Sequence, residues 1–156
     1  MMAPGPDNRF MEEHAQLLLD SYRRLTGKDL VPAGDPQQRA KSLYEAAFVV
    51  VSHDTASDPV FNYANLAAQH LFEMDWDTFI TVPSRLSAGP VHREDRKRLL
   101  DQVTRNGYID NYAGIRVTKS GRQFRIESAT VWNLAGDDGQ YAGQAAMFSE
   151  WVFLQA

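Results

Sequence analysis

Apolar and aromatic positions between residues 10 and 25 recur at steps of three and four, at Phe10, His14, Leu17, Leu18, Tyr22 and Leu25, with Glu12, Glu13, Gln16, Asp20 and Arg23 between them. This pattern predicts an amphipathic helix opened by a cap at Asp7 or Asn8 and closed by Gly27. Pro32, Gly34 and Pro36 then mark a loop, and a second short helix is predicted over 37–44. From Ala46 the period changes. Residues 48–53 and 60–63 are short, β-branched or aromatic runs on either side of turn-forming 54–59, which predicts a hairpin. Asn65 caps a helix carrying Leu66, His70, Leu71 and Phe72; 75–79 form one more helical turn and 83–90 a loop. A charged helix over 93–105 keeps Leu99, Leu100 and Val103 on one side and ends at Asn106-Gly107. Three strands follow, 108–118, 124–132 and 141–153, joined by glycine-bearing hairpin loops at 119–121 and 135–139. Two strands, short helices and a three-stranded meander define an α+β domain with a five-stranded antiparallel sheet. The expected division is a helical extension over 1–45 and the sheet domain over 46–156. Short helices on one face of a curved sheet leave room for a pocket.

Composition narrows the chemistry. The chain has 156 residues, a net charge of −4 and no cysteine. Disulfides, thiolate metal sites, iron–sulfur clusters and thiol nucleophiles are thereby excluded. The negative charge opposes attraction to nucleic acid. No apolar run approaches the roughly 20 residues that span a bilayer, and residues 1–7 lack the pattern of a signal peptide, so a cytoplasmic protein without membrane contact is expected.

The order of hairpin, Asn62-Tyr63-Ala64-Asn65-Leu66-Ala67-Ala68, short helices, charged helix and meander resembles a PAS domain over residues 48–148. More specifically, the chain resembles the MEKHLA family, which is PAS-related. The likeness is carried by Met11-Glu12-Glu13-His14-Ala15-Gln16-Leu17-Leu18, Ser21-Tyr22-Arg23-Arg24-Leu25-Thr26-Gly27, Glu73-Met74-Asp75-Trp76, Pro83-Ser84-Arg85-Leu86 and Ala129-Thr130-Val131-Trp132-Asn133. The family occurs as stand-alone bacterial proteins and at the carboxyl end of plant homeodomain–leucine zipper regulators. The resemblance implies a PAS-like fold and a role in sensing or protein interaction.

Light-sensing PAS domains hold a flavin, and aligning their adduct loop with 83–89 puts Ser84 where they have the reactive cysteine. A serine hydroxyl cannot form that adduct without a general base. Their flavin-bonding asparagines become Arg116 and Ile126, and their last-strand glutamine aligns with Ala145. Arg85 alone stands where a flavin phosphate is held. This argues against flavin. Haem is also disfavoured, because His70 and His92, the helix-region candidates, lack a distinctive motif.

The same alignment sets a phase for the sheet. Tyr112, Gly114, Arg116, Ile126, Ser128, Thr130, Ala145 and Met147 are expected to face the pocket; Ala129, Val131, Gln144, Ala146 and Phe148 are expected to face outward. A buried Arg116 requires an anion, either a ligand carboxylate or phosphate; the alternative is an ion pair at an exposed strand end. Arg85 either clamps an anion or makes a surface salt bridge. Trp76 either stacks on a planar ligand or fills the core, and Asn62 either caps a helix or bonds a ligand. The candidate ligand set is therefore Asn62, Trp76, Arg85, Tyr112, Arg116, Ser128 and Thr130. No metal-ligand spacing, phosphate loop or catalytic constellation appears, and no enzyme activity is expected. The outward face and the stripe of the first helix predict a homodimer through Phe10, Leu17, Leu18, Tyr22, Leu25, Val131 and Phe148, unless that helix folds over its own sheet. With no output domain read, a separate protein partner is expected. The leading expectation is a sensory module binding a small organic molecule. The alternatives are a ligand-free interaction module and a small isomerase-like acid–base enzyme.

Overall fold

The computed structural model describes residues 1–155. Its helices are α1 (Glu12–Thr26), α2 (Pro36–Tyr44), α3 (Leu66–Phe72), α4 (Trp76–Phe79) and α5 (Arg93–Asn106). Its strands are β1 (Val49–His53), β2 (Phe61–Ala64), β3 (Tyr108–Val117), β4 (Gln123–Ala135), β5 (Tyr141–Phe148) and β6 (Glu150–Phe153). The antiparallel sheet runs β2-β1-β5-β4-β3, with β6 also pairing β4. Among the described residues no helix is long and apolar enough to cross a membrane.

The first helix starts later than its periodicity suggests. Pro6–Met11 form a 3-10 segment in which Arg9, Phe10 and Met11 are left-handed, at φ 53°, 56° and 53°, and the α-helix proper begins at Glu12. Each such residue costs about 1 kcal/mol or more. The strain is tolerated because the turn buries Phe10 against the core. Asp35 caps α2, its side chain accepting from the Gln38 N–H while Gln38 bonds back.

The sheet has two cores. On one face, α1 and α2 lay Leu18, Leu19, Tyr22, Leu43 and Tyr44 against Val50, Tyr63, Trp132, Leu134 and Ala145. The helical segment and the sheet thus share a single core. Three polar contacts fix α1 there: Trp132 Nε1 donates to the Leu18 carbonyl at 3.3 Å, Ser21 Oγ exchanges bonds with the Ala135 backbone, and His14 Nε2 lies 2.9 Å from Ser52 Oγ. On the other face, α3 and α4 cover Val49, Phe61, Phe124, Ile126 and Phe148, and α5 covers Val131.

One irregularity reverses the expected phase. Ser128 sits at φ 51° opposite a register shift between β3 and β4, and Asn111 on β3 is at φ 54°. An extra residue in a strand exchanges its two faces beyond that point. Phe124 and Ile126 therefore face α3 and α4, but past Ser128 the same face is taken by Ala129 and Val131. Cross-strand pairing carries the exchange to β5: Thr130 pairs Met147 and Val131 pairs Ala146. Across from Ser128, the strand read over 141–153 breaks at Ser149 into β5 and β6.

Tyr63 is fully buried among Tyr44, Trp76 and His14, and its hydroxyl has no partner. Burial raises its pKa. A buried hydroxyl without a partner carries its desolvation cost uncompensated, so Tyr63→Phe is expected to leave stability unchanged or raise it by about 1 kcal/mol. Urea melts of the two proteins measure this, and a loss of comparable size would reveal a partner for the hydroxyl.

Candidate functional site

Between the sheet and α5 lies a chamber of about 60 Å³. Most of its wall is apolar, from Val51, Phe61, Phe72, Leu99, Ile126, Val131 and Phe148; its polar groups include His53, Arg96, Tyr112, Arg116 and Gln144. Strand alternation puts His53 on the side of Val49 and Val51, and Gln144 on the side of Ala146 and Phe148. Gly143 makes the close β1–β5 approach possible, since at φ 127° any Cβ there would collide with the His53 carbonyl. Arg96 belongs to the same α5 stripe as Leu99, Leu100 and Val103, one turn earlier.

Among the described residues the two guanidiniums hydrogen-bond only to neutral partners. Arg96 Nη2 donates to Ser84 Oγ at 2.9 Å, so the side chain aligned with the photosensor cysteine serves here to hold an arginine. Burial, and then the charge of Arg116, lower the Arg96 pKa to about 10. Arg116 is 8% exposed; it donates to the Ile115 carbonyl at 2.9 Å and, more distantly, to Tyr112 Oη at 3.4 Å. His53 Nδ1 lies 2.9 Å from the Asp54 carbonyl and must donate to it, which leaves Nε2 as a bare acceptor, buried and unpaired. Burial lowers the His53 pKa, and the nearby Arg96 charge lowers it further. At neutral pH the chamber presents two cations and one neutral imidazole. An acid–base reaction there would have one base and no carboxylate acid on the wall.

Of the candidate ligand residues, the chamber brings together Tyr112 and Arg116. Ser128 is exposed at the bulge, and Thr130, buried, is on the α1 face with Met147 and Trp132. Trp76 is in the α1 core, its Nε1 donating to the Met1 carbonyl at 3.1 Å. Asn62 lies outside the chamber, accepting from Ser52 Oγ at 2.6 Å, and the helix cap is Asn65. Arg85 lines an outer cleft and pairs with Asp58 at 3.1 Å. Of the candidate dimer residues, Phe10, Leu18 and Tyr22 are buried under α1 within one chain, with Leu17 and Leu25 packed at the margin of that core. Val131 and Phe148 belong to the chamber face, because of the bulge, and are buried there. The chamber residues not singled out from sequence are His53, Arg96 and Gln144. Each was visible as a polar member of an otherwise apolar stripe: 49/51/53, 96/99/100/103 and 144/146/148.

A curved antiparallel sheet in this order, with short helices enclosing a chamber on one face, defines a PAS-like protein. The MEKHLA domain model matches residues 12–153, and the chain belongs to that family. The match runs through the helical segment as well as the sheet. Homeobox-leucine zipper protein ATHB-14 of Arabidopsis thaliana is 28% identical over 143 residues, covering 86% of this chain and 16% of that protein. Homeobox-leucine zipper protein HOX9 of rice, Oryza sativa subsp. indica, is 25% identical over 146 residues, covering 90% of this chain and 17% of the relative. The chain thus spans less than a fifth of the curated relatives it matches. Among solved structures, a PAS domain from Colwellia psychrerythraea superposes with a TM-score of 0.63 at 19% identity, over 71% of this chain and 92% of that one. The light-state dimer of the fungal blue-light photoreceptor Vivid gives 0.62 at 13% identity, over 88% and 93%.

A light-oxygen-voltage domain studied with a flavin analogue superposes with a TM-score of 0.60 at 15% identity, over 76% of this chain and 85% of that one, and the residues present here do not fit a flavin. Arg116 and Ile126 replace its amide partners, and about 60 Å³ is far below the roughly 300 Å³ at which pockets for such molecules begin.

Proposed function

We propose that the protein is a PAS-like sensory module in which a small organic molecule in the chamber alters the packing of α1 across the sheet. The observation that supports this is the alternation along β4 and β5. Val131, Gln144 and Ala146 line the chamber, while their immediate neighbours Trp132 and Ala145 pack beneath α1. Trp132 is the principal contact, with its ring 5.0 Å from Tyr22 and its Nε1 on the Leu18 carbonyl. Because interiors are close-packed, a ligand that spreads the chamber wall must shift what lies on the other side of the same strands. Output then passes through α1, to a second copy of the chain or to a separate protein. The Vivid structure, a light-state dimer of the same fold, is consistent with the first route.

The small chamber also favours a second reading, an interaction module whose cavity is filled by its own side chains. Native mass spectrometry of freshly purified protein, paired with hydrogen exchange along Glu12–Thr26, separates the two. A co-purifying or added small molecule that changes exchange in α1 is the expected result. A clean apo mass with α1 indifferent to every added compound would leave the interaction module as the better account.

A further inference from the structure

We propose that the chamber is a receptor site for a short aliphatic carboxylate, held through its oxygens by Arg96 and Arg116. This rests on the sensory reading above and names its ligand class. Two guanidiniums, Arg116 buried and Arg96 half-buried, line one small space, close enough for the charge of one to be felt by the other; among the described residues no carboxylate lies within salt-bridge distance of either, Asp95 being linked to Arg116 through Tyr112 Oη at 3.4 Å on each side. Buried charges of like sign without a counter-ion are costly, and a carboxylate supplies the planar, paired acceptors that guanidinium forks match. Independently, His53, 6% exposed, lines the same chamber beside Gln144, and among the described residues its Nε2 has no partner in hydrogen-bonding geometry. The hydrogen-bonding capacity of this wall is therefore incomplete without a molecule inside.

Volume and wall chemistry limit what that molecule is. About 60 Å³ is a small space that limits the molecule to an anion of roughly two or three carbons. The apolar remainder, Leu99, Val131 and Phe148, suits a hydrocarbon end better than a fully hydrated inorganic ion. An outer cleft of about 430 Å³ adjoins the chamber and shares His53, Arg96, Leu100 and Gln144 with it, so these side chains form the wall that a ligand would have to pass. That cleft mixes Arg85, Arg93 and Lys97 with Asp58, Glu94 and Asp101, whereas the chamber wall holds two guanidiniums and no carboxylate.

The test titrates the full chain with sodium acetate, propionate and glycolate, with the neutral amides acetamide and propionamide, and with sodium phosphate and sodium chloride. Thermal midpoint and calorimetry are the readouts. At least one carboxylate is expected to raise the midpoint and to bind about 10- to 100-fold more tightly than its amide, as loss of a charge-assisted bond implies. Arg96→Gln and Arg116→Gln should each remove that preference while remaining at least as stable as the parent, since each relieves the repulsion between the two guanidiniums. Ala146→Val, which narrows the chamber but keeps both arginines, should block binding. The proposal is overturned if amides bind as well as acids, if phosphate or chloride reproduces the effect, or if the preference survives both arginine variants. Binding of an amide that Ala146→Val abolishes would keep the sensory reading and reject the carboxylate. Binding of nothing would reject the carboxylate, and hydrogen exchange in α1 would still decide the sensory reading.

Discussion

Replacing Asn65 with alanine is expected to cost about 4 kcal/mol or more, a large part of the 5–15 kcal/mol that holds a domain together. The side chain has no exposed surface and makes four hydrogen bonds. Its Oδ1 accepts from the Val50 and Ala68 N–H groups, both at 3.1 Å, and its Nδ2 donates to the Leu43 and Phe48 carbonyls at 3.1 and 2.8 Å. One amide therefore joins the end of α2, the start of β1 and the first turn of α3. Alanine would orphan four backbone groups where water does not reach. Asn65→Asp keeps the acceptor but turns a second oxygen toward two carbonyls. It should be at least as unstable as alanine at neutral pH and partly recover in acid, when its carboxyl can donate. Urea denaturation at pH 7.5 and pH 5 follows both variants. An alanine variant within about 1 kcal/mol of the parent would mean that the backbone groups find other partners.

The second large effect is acid destabilisation through His14. Burial lowers its pKa to about 4 from an ordinary 6.5. Ser52 Oγ donates to Asn62 and so accepts from His14 Nε2–H, which fixes the Nε2–H tautomer, while burial favours the neutral ring. The unfolded chain takes up a proton at this histidine near pH 6.5, and the folded chain only near pH 4. Stability from this group is thus complete above the unfolded value and is lost as pH falls from 6.5 toward 4. The loss approaches about 3 kcal/mol. His53, whose pKa is lowered too, adds in the same direction. His14→Gln should flatten this limb while retaining a donor to Ser52. Denaturation curves at pH 7.5, 5.5 and 4.5 decide it, and an equally steep acid limb in the variant would assign the effect elsewhere. The same titration acts where α1 meets the sheet, so acid should loosen that helix before it loosens α3 to α5.

Much of the fold is legible along the chain because helix and strand periods are local. The stripe of α1, the Asn65 cap, the Gly27 stop and the hairpin glycines each follow from a few neighbouring residues. The left-handed turn at Arg9–Met11 is not, since none of its residues prefers that conformation and only burial of Phe10 secures it. The site was half legible. Tyr112 and Arg116 lie on the stretch of β3 after Asn111 and follow simple alternation; Thr130, Val131 and Phe148 lie past the Ser128 irregularity, where simple alternation assigns the wrong face. Ser128 carries no glycine or proline to announce a bulge. Arg96 was hidden differently: in a helix as charged as α5, one arginine on the apolar stripe is masked by its solvated neighbours.

The bulge at Ser128 also bears on how this protein is compared with others. At 24–28% identity to the homeobox-leucine zipper proteins, correspondence along the meander depends on where gaps are placed. An alignment drawn straight through position 128 against a relative with a regular strand equates the chamber wall of one protein with the α1-bearing wall of the other. A single gap there restores it. For the same reason, loss of one residue at this point of the gene is a larger event than most substitutions. It exchanges the inside and outside of half the sheet at once, so insertions and deletions here are the changes selection should tolerate least.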